Sequence, residues 1–172
     1  MKILVGSDIH SNLIYANYFV ERIKQYKPDK VILLGDLMDF ADKDSIKKIF
    51  NKVKIDILCV EGNCDRYTAN FGNIKFMGSY IIEKIGNRQI FFTHGHIYNK
   101  NNIPSILKEG DVFVYGHLHV NGITNENGLI FANAGSIGKP RENSGHSFII
   151  IDENSLEIRE VEYDDIINRI EF

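Results

Sequence analysis

A chain of 172 residues, 44% hydrophobic and 25% charged, has a globular composition and the length to bury a core of its own, so one domain over residues 1–172 is expected. A net charge of −3 excludes an overall basic face and argues against a dedicated nucleic-acid surface. No apolar run is long enough to cross a bilayer, the N-terminus lacks a signal-peptide pattern, and Cys59 and Cys64 make no disulfide or metal-binding framework; a reducing, cytoplasmic location without a membrane partner is expected.

In chain order, Ile3–Gly6 reads as a short buried strand. Asn12 is placed to cap a helix with Leu13, Ala16, Phe19, Val20 and Ile23 on one face, ending before Pro28. Val31–Leu34 is wholly apolar, as a parallel strand covered on both faces should be. Ile46, Ile49, Phe50 and Val53 mark a second amphipathic helix, and Ile57–Val60 a third strand with Cys59 as a small core residue. This β-α-β-α-β order favours a parallel sheet with right-handed crossovers. Beyond about residue 72 the pattern turns to hairpins. Strands Tyr80–Ile85 and Gln89–Thr93 flank Gly86-Asn87; Gly122–Thr124 and Leu129–Ala132 flank a turn at residues 125–128; Ser147–Ile151 and Leu156–Val161 flank a turn at residues 152–155. A further strand is expected at Asp111–Tyr115, a short helix over Ile103–Lys108, and a helical turn around Asp165–Ile170. The simplest assembly is α/β: two sheets packed face to face, with helices on the outer faces.

Five polar motifs punctuate this scheme: Asp8-Ile9-His10, Gly35-Asp36, Gly62-Asn63-Cys64-Asp65, His94-Gly95-His96 and Gly116-His117-Leu118-His119. They hold five of the six histidines. Each alone has an ordinary reading as a turn or a helix cap. Yet each closes an apolar strand, and ligand sites in α/β sheets form at the carboxyl ends of strands. If the strands lie side by side, the motifs converge on one edge. There they offer the oxygen and nitrogen donors that bind divalent metals.

This five-part pattern resembles the calcineurin-like metallophosphoesterases, and among them the small bacterial and archaeal phosphodiesterases of the YfcE type. The likeness runs from Asp8 to the segments Asn133-Ala134-Gly135-Ser136 and Lys139-Pro140-Arg141. It implies a four-layer α/β/β/α sandwich of two packed mixed sheets. It also implies a metal-dependent hydrolase of small phosphodiesters with two divalent ions. One ion would take Asp8, His10, Asp36 and His119; the other would take Asp36, Asn63, His94 and His117, with Asp36 bridging. A shared carboxylate can hold two cations about 3.5–4 Å apart, and the two cations would lower the pKa of a bridging water to give hydroxide. Mixed oxygen and imidazole donors suit Mn2+ first, with Ni2+, Co2+, Zn2+ or Fe2+ accepted by the same set. Asp36, Asn63 and His117 are the expected catalytic residues. Asn12 and His96 are candidates for substrate phosphate, Asn12 having its cap role as the alternative.

Two positions depart from the family pattern. Cys64 stands where many relatives have His on the leaving-group side, and a thiol is a weak hydrogen-bond donor there. Ala134 stands where relatives often have Pro, which predicts a looser loop. Asp65 is expected to orient a ligand histidine, and Arg141 and His146 are expected to be an exposed and a structural residue. A non-catalytic scaffold of the retromer-subunit type is the main alternative, but every expected ligand is present. A phosphomonoesterase is the second; the arginine clamps of the larger protein phosphatases are missing, with Arg66 alone following the Gly-Asn motif. The sequence leaves a homo-oligomer open.

Overall fold

Strand β1 (Ile3–Gly6) sets the layers of the fold: Leu4 faces one core, and Ile3 and Val5 face another. This is the period-two alternation of a strand buried on both sides. In the computed structural model, which describes residues 1–39, 43–65 and 71–172, β1 lies near the middle of a seven-stranded sheet. Beside it run β2 (Lys30–Leu33), β3 (Ile57–Cys59) and β4 (Ile74–Phe76), all parallel. On its other side lie β10 (Ser147–Ile151), β11 (Ser155–Glu160) and β12 (Ile166–Glu171), all antiparallel. The second sheet has the order β5-β6-β7-β9-β8, built from β5 (Tyr80–Ile85), β6 (Arg88–Thr93), β7 (Val112–Tyr115), β8 (Asn121–Glu126) and β9 (Leu129–Ala134). Here β6, β7 and β9 are parallel, and β5 and β8 are antiparallel edges. Both sheets are therefore mixed.

Helices α1 (Leu13–Tyr26) and α2 (Lys43–Phe50) bury Ala16, Phe19, Val20, Ile23, Ile46, Ile49 and Phe50 against the outer face of the first sheet. The inner faces meet through Val5, Ile32, Leu34 and Ile149 on one side and Phe92, Val112, Val114 and Ala132 on the other. The outer face of the second sheet presents Phe91, Phe113, Tyr115 and Phe131 to Tyr98 and Leu107. The expected two-sheet sandwich is present, and its fourth layer is a run of turns.

Four local expectations change. Residues 103–108 form turns, with the Leu107 N–H donating to Pro104 O at 3.1 Å. Only Leu107 there finds a core to face, while Ile103 and Ile106 stay exposed. Residues 166–170 looked helical because Ile166, Ile167 and Ile170 have that spacing, but they belong to β12, whose backbone groups pair with β11 and whose Ile170 packs inward. Strand β4 was not expected. It is three residues long and follows Asn73, whose side-chain amide donates to the carbonyls of Phe50, Val53 and Ile55. Ala134 is no loop residue either: it ends β9 opposite Asn121 and is fully buried. No helix among the described residues is long and apolar enough to cross a membrane.

Candidate metal centre

The motif-bearing strands do not lie in one sheet. Strands β1, β2 and β3 belong to the first, β6 and β7 to the second, and their carboxyl ends meet across one edge of the sandwich. Two contacts stitch that edge: His94 Nδ1 lies 2.7 Å from Leu34 O, and the His117 N–H donates to Asp8 Oδ2 at 2.9 Å.

The main chain is unusual here. Asp8, His10, Asp36, His117 and His119 all have positive φ, between 46° and 65°. That left-handed region is uncommon for residues with a side chain, and Asp, Asn and His enter it most readily. Such outliers cluster where the surroundings hold them, commonly at functional sites. Close approach is also needed: a Cβ on Gly62 would lie 2.1 Å from Asp36 Oδ1, and one on Gly116 would lie 1.9 Å from Ser7 Oγ.

Asp8 is fully buried. Its Oδ2 accepts from Ser7 Oγ at 2.5 Å and from the His117 N–H. Its Oδ1 is buried without a hydrogen-bond partner, as is His10 Nε2. His10 Nε2 lies 3.8 Å from Asp8 Oδ1 and 3.6 Å from Asp36 Oδ2, and His119 Nε2 lies 3.2 Å from Asp8 Oδ1. Burial would raise the Asp8 carboxyl, but His10, His119, His94 and Ser7 outweigh it and hold it well below the usual carboxylate range. Two buried atoms without hydrogen-bond partners, in a ring of carboxylates and imidazoles, give a donor set suited to a cation. The ligand atoms of Asp8, His10 and His119 lie within 4.8 Å of one another, as do those of Asp8, Asp36 and His94.

On the other side of Asp36, His94 Nε2 lies 3.5 Å from Asp36 Oδ2, 3.0 Å from Asn63 Oδ1 and 3.2 Å from His117 Nδ1. His94 is fully buried, and its Nδ1 is committed to Leu34 O, which turns Nε2 inward. Burial and the neighbouring His94 push His117 below the ordinary imidazole value. All seven residues expected as metal ligands thus gather at one place, with Asp36 between the two halves.

The remaining candidates separate. Asn12 caps α1, accepting from the Tyr15 N–H at 3.4 Å, and its amide donates to Gly138 O at 2.8 Å. His96 is exposed beside the site, its ring 5.2 Å from that of His94 and 6.3 Å from that of His117. Asp65 does not orient a histidine; it accepts from the main-chain N–H groups of Asp36, Leu37 and Gly62 at 2.7, 3.0 and 2.9 Å. Cys64 donates its main-chain N–H to Asp36 Oδ1 at 2.8 Å, and its thiol joins His10 and Asp36 within 4.8 Å. Burial and Asp36 push that thiol up to about 11. Asn133 and Ser136 hold loops, bonding to Gly116 O and Asp8 O. Arg141 is exposed, and His146 stacks on Tyr15. Arg66 lies outside the described residues. The sequence did not single out Ser7 or Asp39 and gave Lys139 no role beyond its place in the Lys139-Pro140-Arg141 segment; only the fold brings the three to the motifs.

A model of the calcineurin-like phosphoesterase superfamily domain matches residues 1–156. The chain belongs to this superfamily. It is a hydrolase of phosphate esters from a family that works with divalent metal ions. Phosphodiesterase YfcE of Escherichia coli (strain K12) is 27% identical over 172 residues, spanning 92% of this chain and 91% of its own. The uncharacterized protein MJ0912 of Methanocaldococcus jannaschii is 26% identical over 215 residues, spanning 94% and 88%. The solved structure of the E. coli phosphoesterase YfcE superposes with a TM-score of 0.89 at 24% identity, covering 99% of this chain and 98% of that one. Vps29 of Entamoeba histolytica, solved with Zn2+, superposes at 0.69 with 18% identity, covering 99% of each chain. At these identities the two structures speak for the superfamily fold.

Proposed function

We propose that this calcineurin-like phosphoesterase is a phosphodiesterase that hydrolyses small phosphodiesters at a site for two divalent cations. The observation that carries this reading is the pair of orphaned buried atoms, Asp8 Oδ1 and His10 Nε2, converging beside Asp36. The first ion would be held by Asp8, His10, Asp36 and His119, the second by Asp36, Asn63, His94 and His117. The diesterase assignment draws on the likeness to phosphodiesterase YfcE. Mn2+ is our first assignment for both positions, because the donors mix carboxylate and amide oxygen with imidazole nitrogen. Both cysteines are free thiols, which fits a reducing cytoplasmic setting.

When bound, the ions would supply positive charge for the phosphate oxygens and would make a water acidic enough to attack phosphorus. The chain's own residues prepare the ground. Ser7 and the His117 N–H occupy one oxygen of Asp8 and leave the other facing the site. The carbonyls of Leu34 and Lys139 take Nδ1 of His94 and His119, so Nε2 of each points inward as a lone-pair donor. His96 stands exposed at the mouth, where it would meet a phosphate oxygen. Asn12 has both ends of its amide engaged and serves as a cap.

The deciding experiment is hydrolysis of bis(p-nitrophenyl) phosphate by metal-reconstituted protein. Turnover with Mn2+, lost in Asp36→Asn and His117→Ala, is expected, with diesters preferred over monoesters. No turnover with Mn2+, Ni2+, Co2+ or Zn2+ would instead support the scaffold reading, and faster monoester cleavage the phosphomonoesterase one.

A further inference from the structure

We propose that Lys139 is a positioning residue that locks both imidazoles of the first ion's set, His10 and His119, into one orientation. The inference rests on the two-ion reading above. Its basis is a double attachment. The Lys139 carbonyl accepts from His119 Nδ1 at 2.6 Å. Its ammonium donates to Asp39 Oδ2 at 2.5 Å, and Asp39 Oδ1 lies 3.1 Å from His10 Nδ1. One residue therefore fixes the tautomer of two histidines, directly and through one carboxylate. Each keeps its proton on Nδ1 and turns Nε2 toward Asp8 Oδ1.

The main chain at Lys139 is itself clamped to the loop that carries Asp8 and His10. The Lys139 N–H donates to Ser136 Oγ, which donates in turn to Asp8 O, both at 2.7 Å. The Gly138 N–H donates to Asp8 O at 3.0 Å, and a Cβ on Gly138 would lie 1.8 Å from Ile9 O. The carbonyl facing His119 thus has little freedom. The side-chain arm differs. Asp39 and Lys139 are about half exposed, and exposed ion pairs contribute little to folding. An arm of that kind affects the histidine it aims far more than the fold. A lysine recruiting substrate phosphate would need a free ammonium, and this one is committed to Asp39.

The test titrates metal-free protein with Mn2+, following free Mn2+ by electron paramagnetic resonance, then measures kcat and KM at saturating metal. Lys139→Met is expected to weaken one of the two Mn2+ sites about tenfold, and Asp39→Asn roughly 10–100-fold. Lys139→Arg is expected to bind like wild type. The metal-free melting temperature of Lys139→Met should match wild type. Adding Lys139→Met to Asp39→Asn should cause no further loss, because the ammonium acts through the carboxylate. Unchanged Mn2+ affinity in Lys139→Met overturns the inference, as does a rise in KM alone or full additivity in the double variant. Wild-type uptake of fewer than two Mn2+ counts against the proposed function whatever the variants do.

Discussion

The carboxylate of Asp65 accepts the main-chain N–H of Asp36 at 2.7 Å, and so the loop after β3 holds the loop after β2 in place. The same carboxylate takes the N–H groups of Leu37 and Gly62. Asp65→Ala would leave three donors without their acceptor, and one such loss costs about 1–3 kcal/mol. We expect a loss of that order or larger in denaturant unfolding, and a drop in kcat because Asp36 is no longer fixed. Asp65→Asn keeps one acceptor oxygen and should fall between.

Gly62 has room for a hydrogen and nothing more, since a Cβ there would lie 2.4 Å from Asp36 N as well as against its carboxylate. Gly62→Ala should push Asp36 aside. A displacement of about 1 Å at a catalytic group can cost on the order of 100-fold in rate, and overpacking costs about 1–3 kcal/mol. Wild-type kcat in Gly62→Ala would show that the loop yields instead.

Much of this was legible in the sequence, and the reasons differ by element. Strands β1, β2 and β3 were plain because a strand buried on both faces is a continuous apolar run flanked by helical periodicity. The motifs were plain because chemistry limits which side chains can ligate. The positive φ angles of Asp8 and His117 were not readable, and neither was the bond from the His117 N–H to Asp8 Oδ2, which only the fold brings together. The link from Lys139 to Asp39 joins residues 100 positions apart. Strand β12 misled because its isoleucines satisfy helical spacing, and only the open edge of β11 decided between the two.

Stripping the metal should lower stability as well as activity. Cations bound to the native site and absent from the unfolded chain stabilise by mass action, about 2.7 kcal/mol at 100 times Kd. For a chain of this size that corresponds to roughly 5–10 °C. Chelation should lower the melting temperature by that order, and Mn2+ should restore it. The restoration should fail in Asp36→Asn.

We expect a thiol at position 64 to give little help to a departing oxyanion. Burial and Asp36 favour its protonated form, and S–H is a weak donor. Across a series of aryl phosphodiesters, rates should fall steeply as leaving-group pKa rises, and alkyl diesters should be poor substrates. A flat dependence would show that some other group protonates the leaving oxygen.

Far from the site, Tyr26 donates to Asp164 Oδ2 at 2.6 Å, and burial together with that carboxylate pushes the phenol up from 10.0 to about 12. Between those values the unfolded chain has lost this proton and the folded one still binds it, so stability falls as pH rises. Below pH 10 the contribution is intact. Unfolding curves from pH 9 to 12 should show the decline, and Tyr26→Phe should flatten part of it. An unchanged slope in the variant would remove Tyr26 as its source.

The left-handed backbone at Asp8, His10, Asp36, His117 and His119 restricts the site in a way that ligand chemistry alone does not. A β-branched or bulky side chain at any of these positions meets a steric penalty before its donor atoms matter. Asp, Asn, His and Gly are the residues that enter this region most readily, so they are the substitutions favoured there. Grafting these side chains onto another sandwich would fail unless the five dihedral angles travelled with them. Heritable change in this enzyme's chemistry is therefore steered toward positions with ordinary φ, such as Cys64, His96 and Leu118.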